Sequence, residues 1–224
     1  MTDPNPWKLL MNPASPPAVF IAESKALDFL NSVATPHSTP FEWIVDGAGL
    51  LDWLSQSELV PDQVLKSFRA EGVPGELDAV ANQVRALREW FRGFVLSHMG
   101  RPIPADVINE LAPLNRVLAR DDQFGQIVVD HRDGQLAWRS QRRWRSGETL
   151  IIPIAQAMAE LITSGDFVHV KACQGHDCSM LFVDRTRGRA RRWCSMGICG
   201  NRAKQAAHRD RRGAASNTAI SDRV

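Results

Sequence analysis

Four cysteines, all in the last quarter of the chain, constrain the fold of these 224 residues more than any other feature. They form two pairs with four residues inside each pair and 15 between the pairs: Cys173, Cys178, Cys194 and Cys199. Zinc takes four ligands at tetrahedral corners, and two close pairs joined by a loop supply them without straining the backbone. The alternative, four buried or disulfide-bonded cysteines, is disfavoured because a cytosolic compartment is reducing. The spacing therefore predicts a structural Zn²⁺ site.

His176 lies between the first two cysteines and is a second candidate for a metal ligand. Since the four-cysteine set is already complete, we expect His176 to be an exposed loop residue instead. Gly175 beside it would let the loop turn tightly. Four protein ligands also leave zinc no open position for water, so the spacing argues against a catalytic metal.

The chain carries a net charge of +2, but the charge is unevenly distributed. Residues 1–170 have a balance of −6, whereas residues 171–224 have a balance of +8. Within residues 171–212 there are 11 Lys and Arg residues against three acidic ones. A basic unit of this kind is suited to an anionic partner.

Hydrophobic periodicity predicts that residues 1–166, which we call the helical unit, are mainly α-helix. Apolar residues recur at helical spacing in segments 23–34, 46–54, 61–68, 74–99, 104–119 and 148–163. The longest segment is the expected central buried element, with Phe91 on its apolar face. Pro113 should kink the segment that contains it. With a β-hairpin at about 126–140 that turns on Asp133-Gly134, the predicted fold class is α+β, mostly α.

Residues 167–212, which we call the C-terminal module, are predicted to be a β-hairpin knuckle followed by a helix, and a polar tail (213–224) ends the chain. The strands are expected at 167–171 and 181–184, and the helix at 200–209 with Asn201 as its N-cap. A basic helix fixed by zinc at its N-terminus is suited to lie along phosphates or enter a groove. Arg202, in its first turn, could instead be held by the zinc core. The expected nucleic-acid-binding residues are Arg189, Arg191, Arg192, Arg202, Lys204, His208, Arg209 and Arg211.

The run from Arg192 to Lys204 resembles the CGNR zinc-finger family. It contains the Cys-Gly-Asn-Arg sequence that names this family, and the preceding Arg-Trp-Cys and the upstream cysteine pair also match. In that family the finger follows a helical domain called ABATE, and members are described as stress-induced transcription regulators. Weaker signatures of that domain are found at Leu27–Val33, Leu50–Leu54, Leu87-Arg88 and Leu114-Asn115. The resemblance implies a zinc-binding transcription regulator with DNA as its partner.

Three polar residues on otherwise apolar helices, Asn31, Arg88 and Asn115, are candidates to orient a small-molecule effector in the helical unit. The alternative, which we favour, is a satisfied buried polar network or simple exposure. The sequence has no phosphate-binding Gly-rich loop, no Gly-x-Ser-x-Gly and no His-Glu-x-x-His, so we expect that the protein is not an enzyme. A homodimer is a further candidate assembly.

Two other functions stay open from the sequence. The module could bind RNA, although only Trp193 and Phe182 offer stacking surfaces near the basic residues. It could also be a protein-interaction module that docks on an acidic surface, such as that of its own helical unit. The first ten residues lack the layout of a signal peptide, and the most apolar stretch, 150–162, is too short to span a bilayer. We therefore expect a cytoplasmic protein with no membrane association.

Overall fold

The computed structural model describes residues 16–35, 40–130 and 132–209. Its helices are α1 (Lys25–Leu30), α2 (Gly47–Ser57), α3 (Asp62–Glu71), α4 (Glu76–His98), α5 (Ala112–Leu118), α6 (Ile151–Thr163) and α7 (201–209). Three two-stranded antiparallel sheets pair β1 (Val33–Ala34) with β2 (Phe41–Glu42), β3 (Gln123–Val129) with β4 (Leu136–Arg142), and β5 (Val170–Ala172) with β6 (Leu181–Val183). This architecture confirms the predicted mostly helical α+β class.

Helix α4 is the central element, as its apolar stripe predicted. Phe91 is fully buried on it and stacks on Phe94, which in turn meets the ring of Phe167 edge-on. Close contact with α2 depends on Gly47, because a Cβ at that position would lie 2.4 Å from the Cβ of Leu77. The apolar face of α4 therefore organises the core of the helical unit.

Helix ends follow the local sequence. Asp46 caps α2, since its side chain accepts a hydrogen bond of 2.8 Å from the backbone N–H of Gly49, as predicted. The expected hairpin is present and turns at Gly134, whose φ of 70° is costly for residues with a Cβ. Helix α6 ends before Gly165, which has a φ of 76°.

Two predictions on the helical unit were wrong in detail. The segment 104–119 is not one kinked helix but a 3₁₀ turn, Ala105–Asn109, followed by α5. Pro113 lies in the first turn of α5, where its missing N–H costs no hydrogen bond, so the proline starts a helix rather than bending one. The segment 23–34 also ends early as a helix, because β1 and β2 form a short ribbon directly after α1.

The helical unit and the C-terminal module share one hydrophobic core, although their compositions differ. Leu181, Phe182 and Val183 of β6 are buried, and the N–H of Val183 donates to the carbonyl of Ala22 at 2.9 Å. The predicted strand 167–171 is displaced, since Asp166–His169 is a 3₁₀ turn that leads into β5. Within the described ranges, no helix is long and apolar enough to cross a membrane.

Candidate metal centre and nucleic-acid interface

The four cysteines converge on one point. Cys173 follows β5 and Cys178 precedes β6. Cys194 precedes a π turn, Met196–Gly200, and Cys199 lies within that turn. All four Sγ atoms lie within 4.8 Å of one another, with 3.8 Å between Cys178 and Cys194 and 3.6 Å between Cys194 and Cys199. A tetrahedral zinc with Zn–S bonds of about 2.3 Å places its sulfurs roughly 3.8 Å apart. The donor set therefore has the dimensions of a zinc site and is far too wide for disulfide bonds.

Hydrogen bonds among the thiols favour a thiolate at Cys173. The Sγ of Cys173 accepts hydrogen bonds from the N–H groups of Gly175 and Cys194, at 3.4 and 3.2 Å. Hydrogen bonds from the Cys178 and Cys194 thiols, together with these amides, lower the pKa of Cys173. The hydrogen bond to Cys173 in turn raises the pKa of Cys178 and that of Cys194. Four thiolates this close would need a divalent cation between them, and zinc would supply that charge.

Gly175 is required here by a close approach. A Cβ on this residue would lie 2.6 Å from the Sγ of Cys199 and 2.9 Å from its Cβ. The neighbouring His176 points outward, because its side chain is 92% exposed and its Nδ1 lies 2.7 Å from a carboxylate oxygen of Asp177. The imidazole therefore stands outside the sulfur cluster, which among the described residues consists of the four cysteines.

Helical backbone begins earlier than predicted, in the π turn Met196–Gly200 that leads directly into α7. Ser195 is the N-cap, and its side-chain oxygen accepts a hydrogen bond of 2.9 Å from the N–H of Ile198. Asn201 is therefore already helical and is not the cap. Arg202 lies one turn after Ile198, and its Nε donates to the carbonyl of Ile198 at 2.8 Å. Its Nη2 lies 3.4 Å from the Sγ of Cys199. Its guanidinium is therefore placed to offset thiolate charge at the candidate metal centre.

Asp184 organises the loop between the cysteine pairs, and sequence reasoning missed it. Its fully buried carboxylate accepts hydrogen bonds from Lys171 Nζ (2.7 Å), from the N–H and Oγ1 of Thr186 (3.0 and 2.6 Å) and from the N–H of Arg191 (2.9 Å). Burial opposes ionisation, but these donors outweigh it and lower the pKa of Asp184. The signal in the sequence was an acidic residue at the end of an apolar strand, two residues before a threonine.

Besides Arg202, two more of the predicted nucleic-acid-binding arginines make contacts inside the protein. The guanidinium of Arg191 lies 4.2 Å above the ring of Phe182 and donates to Glu23 at 2.9 Å and to the carbonyl of Ile21 at 2.8 Å. Arg189 is exposed, but its Nη1 donates to the carbonyl oxygen of Asp184. Arg191 therefore anchors the loop to the helical unit, which differs from the role expected for it.

The other predicted cations that lie within the described residues are on the surface. Lys204, His208 and Arg209 are exposed along α7, and Arg192 is exposed with its Nε 2.7 Å from the side-chain oxygen of Gln174. Arg211 lies outside the described residues. Two further arginines of the loop, Arg185 and Arg187, are exposed but were not among the predicted nucleic-acid-binding residues. Arg185 forms an ion pair of 2.7 Å with Asp166.

The three polar residues proposed to hold an effector occupy different environments. Asn31 is buried, donates to the carbonyl of Leu181 and accepts from its N–H, both at 2.9 Å. Arg88 is buried and forms ion pairs with Glu42 and Glu89 and a hydrogen bond with Ser32. Asn115 is exposed on α5. Asn31 thus joins the two parts of the chain and Arg88 belongs to a buried polar network, which was the alternative favoured from the sequence.

Comparison with known families agrees with both parts of the chain. The family model described as "ABATE: Putative stress-induced transcription regulator" matches residues 23–165, and the model described as "CGNR zinc finger" matches residues 169–212. These two regions follow the order predicted from the sequence. No curated protein matched the chain in the search of characterised proteins.

Proposed function

We propose that this chain, which belongs to the ABATE family and carries a CGNR zinc finger, is a transcription regulator that binds duplex DNA through the finger. The observation that carries the proposal is that the basic residues of the C-terminal module fall into two groups, one with internal contacts and one exposed. Arg191 and Arg202 contact the protein and the metal centre, whereas Arg192, Lys204, His208 and Arg209 are exposed. Exposed cations on a zinc-anchored helix are suited to phosphate contacts.

The buried carboxylate of Asp184 is consistent with this separation of the charges. Asp184 is one of three acidic residues within 171–212, and it is fully buried, with its carboxylate accepting hydrogen bonds from Lys171 Nζ and from the backbone N–H of Arg191. Its negative charge is neutralised by Lys171, so the pair removes one charge of each sign and Asp184 does not offset the exposed cations of the module. A basic surface attracts a polyanion and accelerates its association.

The metal centre would serve this surface as a scaffold. Four sulfur ligands complete the coordination of zinc, so we propose a structural role for the metal and no catalytic one. When bound, zinc would hold the loop after Cys178 and the start of α7 in one fixed geometry. The cations on both would then meet the DNA backbone with little loss of conformational entropy.

One observation favours a second candidate, binding of a single strand. A groove of about 900 Å³ lies beside the loop and is lined by Trp193, Met196 and Ile21, with the guanidinium of Arg192 5.1 Å from the Trp193 ring. An unstacked base could rest there. Phe182, the other aromatic near the basic residues, is fully buried and offers no second stacking surface. A single platform supports duplex binding better than single-strand binding.

The proposal is tested with the zinc-loaded full-length chain and duplex DNA, titrated at several salt concentrations. We expect Lys204→Ala and Arg209→Ala to weaken binding nearly uniformly across DNA sequences. Each lost phosphate contact should lower the magnitude of the log-affinity against log-salt slope by about 0.9. Arg116→Ala, which removes an exposed arginine of α5, is the matched control and should leave the slope unchanged.

The competing functions give different results in the same assay. A single-stranded competitor that displaces the duplex at equal concentration would favour the groove as the binding site. Absence of DNA affinity even at low salt would overturn the proposal, and docking of the basic surface on an acidic protein would replace it.

A further inference from the structure

The β3–β4 ribbon carries an apolar side that faces solvent. Ile127 pairs with Trp138 and Val129 pairs with Leu136 across the ribbon, so all four side chains project from the same side. They are 65%, 70%, 53% and 77% exposed, respectively. We call these four residues the ribbon face. They are four of the nine large apolar side chains that are strongly exposed in the described parts of the chain.

The ribbon face is flat because of a glycine. The ring of Trp138 lies across the neighbouring strand, where a Cβ on Gly125 would come within 2.0 Å of the ring carbon atoms. Gly125 pairs with Ser140, one step toward the base of the ribbon from Trp138. The indole therefore covers the backbone rather than standing away from it, and it extends the apolar surface along the strands.

Unpaired charges are kept off this side of the ribbon. The ion pair between Arg139 and Asp130 lies on the opposite side, because Arg139 pairs with Gln126 in the alternating register. Arg142, at the base of the same side as the ribbon face, is only 11% exposed and is held by Asp121 at 2.6 Å. The ribbon face therefore offers no free charge with which to recognise a nucleic acid or an acidic protein.

A two-stranded ribbon with such a face is at best marginally stable alone in water and gains from a surface that covers it. Exposed apolar patches of several hundred square ångströms usually mark interaction sites. Covering four side chains of this size on both partners would remove on the order of 1,000 Å² of surface, the lower limit of a specific interface. The area is thus sufficient for a modest but specific association.

We propose that the ribbon face is the contact between two copies of this chain in a two-fold symmetric dimer. A two-fold axis brings the same patch of both copies together. A charged patch would repel its own copy in this arrangement, whereas a neutral, flat, apolar face can pack against itself. The basic surface of the C-terminal module could not pair with itself in this way. The dimer leaves that surface free and would present two metal centres at once, although the proposal does not depend on what they bind.

The experiment measures the mass of the full-length protein by sedimentation over a wide range of concentration. The wild-type protein should approach twice the mass of the chain as concentration rises. Leu136→Glu and Val129→Glu each place a carboxylate in the apolar contact and should raise the dimer dissociation constant about tenfold or more. Both positions are exposed in a single copy, so the helical content should not change.

Leu96→Glu is the matched control, because Leu96 is 52% exposed on α4, outside the ribbon. It should dimerise like the wild type. A wild-type protein that stays monomeric at all concentrations overturns the proposal, and so does a dimer that withstands both ribbon substitutions or is equally weakened by Leu96→Glu. Because the measurement contains no DNA, loss of the dimer and loss of DNA binding are distinguishable results.

Discussion

The helical unit and the C-terminal module are stabilised in different ways although they touch. The helical unit depends on large apolar side chains that are fully buried, such as Phe29, Trp53 and Phe91. The module has only short strands, and its fixed points are a cluster of sulfurs and the carboxylate of Asp184. A segment of some forty residues cannot bury enough apolar surface to fold alone and needs a metal or a comparable crosslink. The two regions should therefore respond to different perturbations.

Removal of zinc should have the largest effect and should separate the two regions. Structural zinc contributes on the order of 10 kcal/mol to the folding of a small finger. We expect the protein to bind about one zinc per chain, and chelation to unfold the C-terminal module while α2, α4 and α6 remain helical. Hydrogen exchange along the full-length chain, with and without a chelator, measures both responses in one sample.

A matched variant tests whether the metal itself is responsible. Cys199→Ser removes one of the four sulfurs and should reproduce the chelated pattern of exchange without any chelator. If β5, β6 and the π turn keep their protection in the metal-free protein, the module is held by packing instead, and the contrast between the two regions is lost.

Phe91→Ala should destabilise the helical unit, in contrast to zinc removal, which should unfold the C-terminal module. Deleting a fully buried aromatic side chain costs about 3–5 kcal/mol, and the loss should fall on the helical unit. Leu96→Ala, on an exposed face of the same helix, should change the free energy of unfolding by less than about 0.5 kcal/mol. Denaturant unfolding of the zinc-loaded protein measures both. A near-zero value for Phe91→Ala would contradict its place at the centre of the core.

Much of this architecture could be predicted because it depends on local patterns. Periodicity located α4 and α6, an Asp-Gly pair located the ribbon turn, and cysteine spacing located the metal centre. What was missed depends on contacts distant in sequence. Asn31 is 150 residues from Leu181, and Arg191 is 168 residues from Glu23. Their polar character was visible, but only the folded chain shows that these side chains join the two regions.

The same limit applies to the basic residues. In the sequence the loop arginines Arg189, Arg191 and Arg192 are equivalent candidates for phosphate contacts. The structure divides them according to whether a buried acceptor or an aromatic ring lies within reach, as for Arg191 above Phe182. Composition predicts that a surface is basic, but it does not predict which side chains remain available to a ligand.

The junction between the two regions contains a buried carboxyl group that should make stability depend on pH. Asp28 is 6% exposed, and its Oδ1 accepts a hydrogen bond of 3.0 Å from the N–H of Ala22. Burial raises the pKa of Asp28 from 3.8 to about 6, against the opposing effects of that hydrogen bond and of Lys25. The carbonyl groups of Ile21 and Ala22 accept hydrogen bonds from Arg191 and Val183, so Asp28 supports the segment on which the module docks.

The pH dependence of stability expected from Asp28 is the smallest of these effects, and its sign follows from the raised pKa. Between pH 4 and 6, approximately, the folded chain retains a proton on Asp28 that the unfolded chain has released, so the contribution of Asp28 to stability falls as pH rises. Over the whole interval the loss is at most about 3 kcal/mol. Asp28→Asn keeps an oxygen acceptor for Ala22 and cannot ionise. The free energy of unfolding of this variant relative to the wild type should therefore increase from about pH 4 to about pH 6 and stay constant above, because acid effects on the thiols are common to both proteins and cancel. A relative stability that does not change with pH would show that Asp28 is solvated in the folded chain, and that the junction opens more readily than either region it connects.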